Sequence, residues 1–258
     1  MGLQPPAGRV ELRGVGPLID FPTLGQPEGF EMLIEHEGRR PRIASTAYVA
    51  PNAVVSGDVS VGEGSRILFG AVVTEDGGAV DIGRNCIIME QALIRGRPEH
   101  RTRIADHVLI GPFCHVNGAE IEECAFIATG ASIFPGARIG SRAEVRIHGV
   151  VHVNTVLPPD TVVPIGWDAV GNPCQVLPPE AHERIWSIQK ELDFPGTVLG
   201  VDRPAEGSTA MPAAMARYSD LFGRHRSDRL IRDDSRQADS EKVRRGPHLD
   251  RGTPDAHS

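Results

Sequence analysis

RIASTAYVAPNAVVSGDVSVGEGSRILFGAVV, residues 42–73, places an aliphatic side chain at every sixth position: Ile43, Val49, Val55, Val61, Ile67 and Val73. The beat resumes at Ile82, Ile88 and Ile94, and again at Ile104, Ile110 and Val116. It then runs through Ile121, Ile127, Ile133, Ile139, Val145, Val151 and Leu157 to Val163. A six-residue period of this length predicts a parallel β-helix, each hexad giving one short strand with its aliphatic residue inward. A β-sandwich would alternate its strands at intervals of about 8–12 residues and does not fit. Grouped in threes, the hexads make about seven triangular coils, each touching only its neighbours. Three extra residues separate Val73 from Ile82, four separate Ile94 from Ile104, and one is missing between Val116 and Ile121. All three irregularities fall on one corner of the prism, and the functional site is expected there.

Composition agrees with a narrow interior. Hydrophobic residues make up 40% of the 258, but aromatics only 5%, as suits a coil filled by Val, Ile, Ala and Leu. A net charge of −7 argues against nucleic acid as a partner, because phosphate binding wants a basic footprint. Cys86, Cys114, Cys124 and Cys174 form no CxxC pair and read as reduced thiols packed as small hydrophobes. No apolar run approaches the roughly 18 residues of a membrane span, and no signal-peptide core opens the chain. The expected location is cytoplasmic, with no membrane partner.

Four segments follow. Residues 1–31 are rich in Gly and Pro and predict a flexible leader, with Met32 as an alternative start to Met1. The β-helix occupies 32–177. In 178–203, Ala181, Ile185, Ile188 and Leu192 fall at helical spacing and predict a C-terminal α-helix lying on the prism. The mixed charges and scarce apolar residues of 204–258 predict a disordered tail.

The disturbed corner carries TEDGGAVD (74–81) and RGRPEHRTR (95–103). The guanidiniums of Arg95, Arg97, Arg101 and Arg103 suit a carboxylate or phosphate ligand, each offering a bidentate fork. A solvated loop pairing with acidic residues of a neighbouring subunit would explain the same arginines. The hexad phase stacks Ser56, Thr74, Arg95, Asn117, Phe134 and His152 in one column, and sets Glu90 beside Pro112 on the adjacent edge. A polar pocket of Thr74, Asp76, Glu90, Arg95, His115 and Asn117 is therefore expected, with Arg97 beside it. Carboxylates next to an arginine stay ionised, which favours binding over general-acid work. His148 and His152 are spaced like helical metal ligands, but in a β-helix that spacing crosses a turn and separates the side chains.

The stretch from RRPRIASTAYVAPNAVVSGDVSVGEGSRILFGAVV to VGNPC, with the corner insert after GAVV, the following IG and the trailing helix, resembles the γ-class carbonic anhydrases. These belong to the wider hexapeptide-repeat (isoleucine-patch) acyltransferase superfamily. The likeness covers about residues 32–195. It implies an all-β, left-handed parallel β-helix with a C-terminal α-helix, and a homotrimer with sites between subunits. It also implies a catalytic zinc held by three histidines, but this chain carries Arg95, Pro112 and Asn117 at those three positions. The family's Arg-Gly-Asp stretch reads Thr74-Glu75-Asp76 here, and its Asn-x-Gln-Asp run reads Ile87-Ile88-Met89-Glu90.

Without a metal to lower the pKa of bound water, the family's CO2 hydration has no nucleophile. The expectation is a trimeric, zinc-free scaffold that binds a small anionic metabolite and needs no cofactor. A second reading is a CoA-dependent acyltransferase in which His100 or His115 is the base and the arginines hold CoA phosphates. A third is a carbonic anhydrase-like enzyme with a relocated metal, using His115 with His100 or His107. The catalytic candidates across these readings are His100, His115, Asp76 and Glu90.

Overall fold

Backbone pairing turns the six-residue beat into three columns. The computed structural model describes residues 32–231. On the first face Leu33, Val55, Val73, Ile94, Val116, Ile133, Val151 and Ala169 stand in parallel register. The second face stacks Ile43, Val61, Ile82, Ile104, Ile121, Ile139 and Leu157. The third stacks Val49, Ile67, Ile88, Ile110, Ile127, Val145 and Val163. All but Ile43 are buried, and together they form the core. The molecule is an all-β parallel solenoid of about eight turns. A count begun at Ile43 finds about seven, because it omits the strands Met32–Glu35 and Asp168–Val170, which begin and end the first face.

Both ends of that face are closed. Arg229–Ile231 pairs antiparallel with Met32–Glu35, and Gln175–Leu177 pairs antiparallel with Asp168–Val170. Unpaired strand edges template association, so covering them keeps the stack finite. Among the described residues no helix is long and apolar enough to cross a membrane. Cys86 and Cys114 are buried free thiols, and burial pushes the Cys114 thiol up to about 11, leaving it unreactive near neutrality.

The expected C-terminal helix is α1, His182–Gln189, flanked by single 3-10 turns at Pro179–Ala181 and Lys190–Leu192. Ile185 is its buried anchor, while Ile188 closes on Gly171 so tightly that a Cβ there would stand 2.9 Å from its methyl. The expected disorder of 204–258 is corrected for 204–231. Met211–Gly223 forms a second helix, α2, and the chain then reaches the edge strand Arg229–Ile231. Composition misleads because a helix lying on a surface needs only a narrow apolar stripe, which Ala214, Tyr218 and Phe222 supply. The expected leader at 1–31 and the end of the expected tail at 232–258 lie outside the described residues.

From α1 the chain returns along the disturbed corner as a strap. It touches Asn154 near the last coil, where the side-chain amide donates to Leu192 O and Thr197 Oγ1, each at 3.1 Å. Phe194 packs near Phe134, with centroids 6.1 Å apart. Farther down, α2 meets the arginine-rich loop, and the residues after it reach the first coil. Leu33 to Ile43 spans ten residues, so the first corner is also enlarged. The arginine-rich loop closes through reciprocal backbone hydrogen bonds between Arg97 and His100, at 2.9 and 3.0 Å. Gly96 lets it nest, since any side chain there would strike the Gly78 carbonyl.

Candidate functional site

The stacking predicted from phase places Ser56, Thr74, Arg95 and Asn117 side by side on successive coils. Asp76 turns back under Arg95. Its Oδ2 lies 3.0 Å from Arg95 Nε, off the hydrogen-bonding direction, so the contact is an ion pair alone. The Thr74 hydroxyl donates to Asp76 Oδ1 at 3.2 Å. Asp76 is only 2% exposed, against 29% for Arg95, so the carboxylate is the buried partner. Phe222 of α2 covers the Arg95 guanidinium at 5.7 Å from its ring centroid, and His225 Nε2 comes within 3.4 Å of Asp76 Oδ1. Thr74, Asp76, Arg95 and Asn117 therefore share one site, roofed by the strap. Asn117 Oδ1 is buried there without a hydrogen-bond partner among the described residues.

Glu90 does not join them. It stands on the next corner beside Pro112, half-buried, with no ion pair among the described residues. His107 is exposed in a turn, and His148 and His152 are separate, the latter bonded to Asp168 at 2.8 Å. The donors at Arg95, Pro112 and Asn117 are a paired guanidinium, a proline ring and a carboxamide.

His115 faces outward on the first face, edge-on to Phe134 at 6.3 Å. Burial, then the charges of Arg95 and Arg97, hold its pKa below the ordinary histidine range. The unfolded chain therefore binds the extra proton more readily, and stability contributed by neutral His115 is lost as pH falls below about 6.5. His115→Gln is expected to flatten the decline in melting temperature between about pH 7 and 5. An unchanged acid limb would contradict this.

Arg97 is directed away from the ion pair. It is 6% exposed and donates to Val198 O at 2.7 Å and Tyr218 Oη at 3.1 Å, with the Tyr218 ring 5.3 Å beneath it. Among the described residues no carboxylate balances its charge, and its Nε has no partner. Arg97 and His100 form one wall of a cleft of about 920 Å³ between the arginine-rich loop and the strap, whose far wall includes Asp193, Arg203 and Arg217. The strap side of this cleft has no hexad period and was not legible as part of a site.

No family model matches the chain. It is 31% identical over 158 residues to γ carbonic anhydrase 1, mitochondrial, of Arabidopsis thaliana, covering 59% of this chain and 55% of that protein. It is 28% identical to a carbonic anhydrase of Geobacillus kaustophilus, covering 57% and 77%. The structure of a putative acetyltransferase of Bacillus cereus superposes with a TM-score of 0.51 at 27% identity, over 65% of this chain and 96% of that one. The chain is a hexapeptide-repeat solenoid, similar in sequence to γ carbonic anhydrases and in structure to a putative acetyltransferase. The match spans little more than half of the Arabidopsis protein's length.

Proposed function

We propose that this hexapeptide-repeat protein is a γ-carbonic-anhydrase-like trimer that binds a small anion in the cleft beside Arg97, without zinc at Arg95, Pro112 and Asn117. The observation that carries the anion reading is Arg97, a buried guanidinium on a cleft that also holds Glu99, Asp193 and Asp202 but, among the described residues, with no carboxylate at ion-pairing distance from it. Buried charges are kept only when compensated, and His100 and Arg217 on the same cleft add donors for a carboxylate or phosphate. Arg95, which was expected to bind the ligand with Asn117, is already neutralised by Asp76. For zinc, a paired guanidinium and a proline offer no ligand, and one carboxamide is a poor substitute for three imidazoles.

The third face supports the trimer. Tyr48, Phe126 and Val162 are exposed on it, and Phe69, Phe113, Ile147 and Ile165 are exposed at its edge, whereas the second face presents Arg42, Ser60, Asp81, Arg103, Glu120 and Arg138. An apolar stripe of that extent marks a contact between proteins, and the occupant proposed is a second copy of this chain.

The test is a thermal-shift series on the full chain at constant ionic strength, with citrate, phosphate, bicarbonate and acetyl-CoA. At about 100 times its Kd a ligand adds about 2.7 kcal/mol, or several degrees. One of these anions is expected to raise the melting temperature, and Arg97→Gln to abolish the rise. No rise, or one indifferent to Arg97, overturns the anion reading. CO2 hydration at the uncatalysed rate with zinc supplied is expected, and acceleration that persists in His225→Ala would overturn the assignment of no zinc at Arg95, Pro112 and Asn117. The structural likeness to the Bacillus cereus putative acetyltransferase, with His100 on the cleft, favours acyl transfer as the second reading. Acetyl-CoA as the sole stabiliser, with His100-dependent thiol release, would select it.

A further inference from the structure

The strap ends over the first coil on a cluster outside the cleft. His36, in the first enlarged corner, is 3% exposed, and its Nδ1 lies 2.6 Å from Asp228 Oδ1. His225 Nδ1 lies 2.9 Å from Oδ2 of the same carboxylate. The two imidazoles stack with centroids 4.4 Å apart, and ligand atoms of all three residues lie within 4.8 Å of one another. We propose that His36, His225 and Asp228 bind one divalent first-row transition ion, zinc or a chemical relative, which fastens the strap to the first coil.

The donor set selects that class. Two imidazoles with one carboxylate suit zinc, cobalt or nickel, whereas magnesium and calcium take oxygen ligands. Bonds of about 2.0–2.2 Å in a tetrahedron set ligand atoms about 3.3 Å apart. The present contacts of 2.6 and 2.9 Å are bridged by protons, so an ion replacing those protons opens them by about 0.4–0.7 Å. Such a movement is small for a site whose His225 is 34% exposed at the end of the strap.

A second arrangement points the same way. The far nitrogen of His225, Nε2, faces Asp76 at 3.4 Å. A ring N–H given to a carboxylate leaves the other nitrogen free for a metal, as in many carboxylate–histidine–metal sites. Asp228 offers one carboxylate oxygen to each ring, Oδ1 to His36 and Oδ2 to His225. The cluster lies at the first coil, while Arg97 lies on the fourth, so the cation does not depend on the anion reading.

The experiment strips the full-length protein with a chelator and titrates it with Co2+, following visible absorption and calorimetric heat. One Co2+ per subunit is expected, with affinity reduced at least tenfold in His225→Ala and in Asp228→Asn. His115→Gln should bind as the parent does. Because His36→Ala removes a buried side chain, His225→Ala is the deciding variant, its fold checked by circular dichroism. Zinc is expected to raise the melting temperature of the parent and not of His225→Ala. No Co2+ uptake, or uptake by His225→Ala and Asp228→Asn as tight as the parent's, overturns the site. The anion reading is tested separately, by the Arg97-dependent shift in chelated protein.

Discussion

Arg95→Ala is expected to destabilise the protein by about 3–5 kcal/mol, because it strands a carboxylate that cannot reach water. Asp76 is 2% exposed, and Arg95 is the cation closest to it, at 3.0 Å. Removing the guanidinium leaves the Thr74 hydroxyl at 3.2 Å and the half-exposed His225 imidazole at 3.4 Å to compensate a full negative charge. For a chain of this size, each kcal/mol lowers the melting temperature by about 2–4 °C. The double variant Arg95→Met/Asp76→Asn should recover most of the loss, since a neutral pair needs no counter-charge. Chemical denaturation of the three proteins checks both statements. A change below about 1 kcal/mol for Arg95→Ala would show that water reaches Asp76.

Ending the chain after Arg203 is the second large effect expected. It removes α2, the Tyr218 hydroxyl bonded to Val198 O at 2.7 Å, Phe222 over Arg95, and the edge strand Arg229–Ile231. A loss of about 2–3 kcal/mol is expected, roughly 4–12 °C. Ending the chain after Ile231 retains all of these contacts. The difference in melting temperature between the two truncations measures the strap. Equal melting temperatures would mean that residues 204–231 contribute nothing to the folded state.

The fold could be read because a solenoid repeats one physical rule. Each inward aliphatic is the sixth residue after the last, and the register is carried from coil to coil by backbone pairing. The column of Thr74, Arg95 and Asn117 followed from that rule, as did the placement of both inserts on one corner. Glu90 does not join the site because it lies one corner away, in the turn before the first-face strand that carries Arg95. His36 was missed because the series was begun at Ile43. Extending it to Leu33 exposes a four-residue enlargement like the one after Ile94. The strap was illegible for a different reason. Its partners lie far away in sequence, and its anchors are isolated residues, Tyr218, Phe222, His225 and Asp228, set among charged ones.

That separation has consequences for how the molecule opens. Side-chain contacts between neighbouring coils join residues about one turn apart, such as Glu75 to Asp58, 17 residues away. A chain built only of such contacts frays from its termini, coil by coil, as an open array. The bond between His36 and Asp228 spans 192 residues and links the first coil to a segment that begins beyond the last. It closes the array into a loop, so neither end can loosen without releasing the other. Hydrogen exchange should therefore show the first and last coils protected to a similar level in the intact chain. With the strap cut away, a gradient of protection should appear, weakest at the first coil.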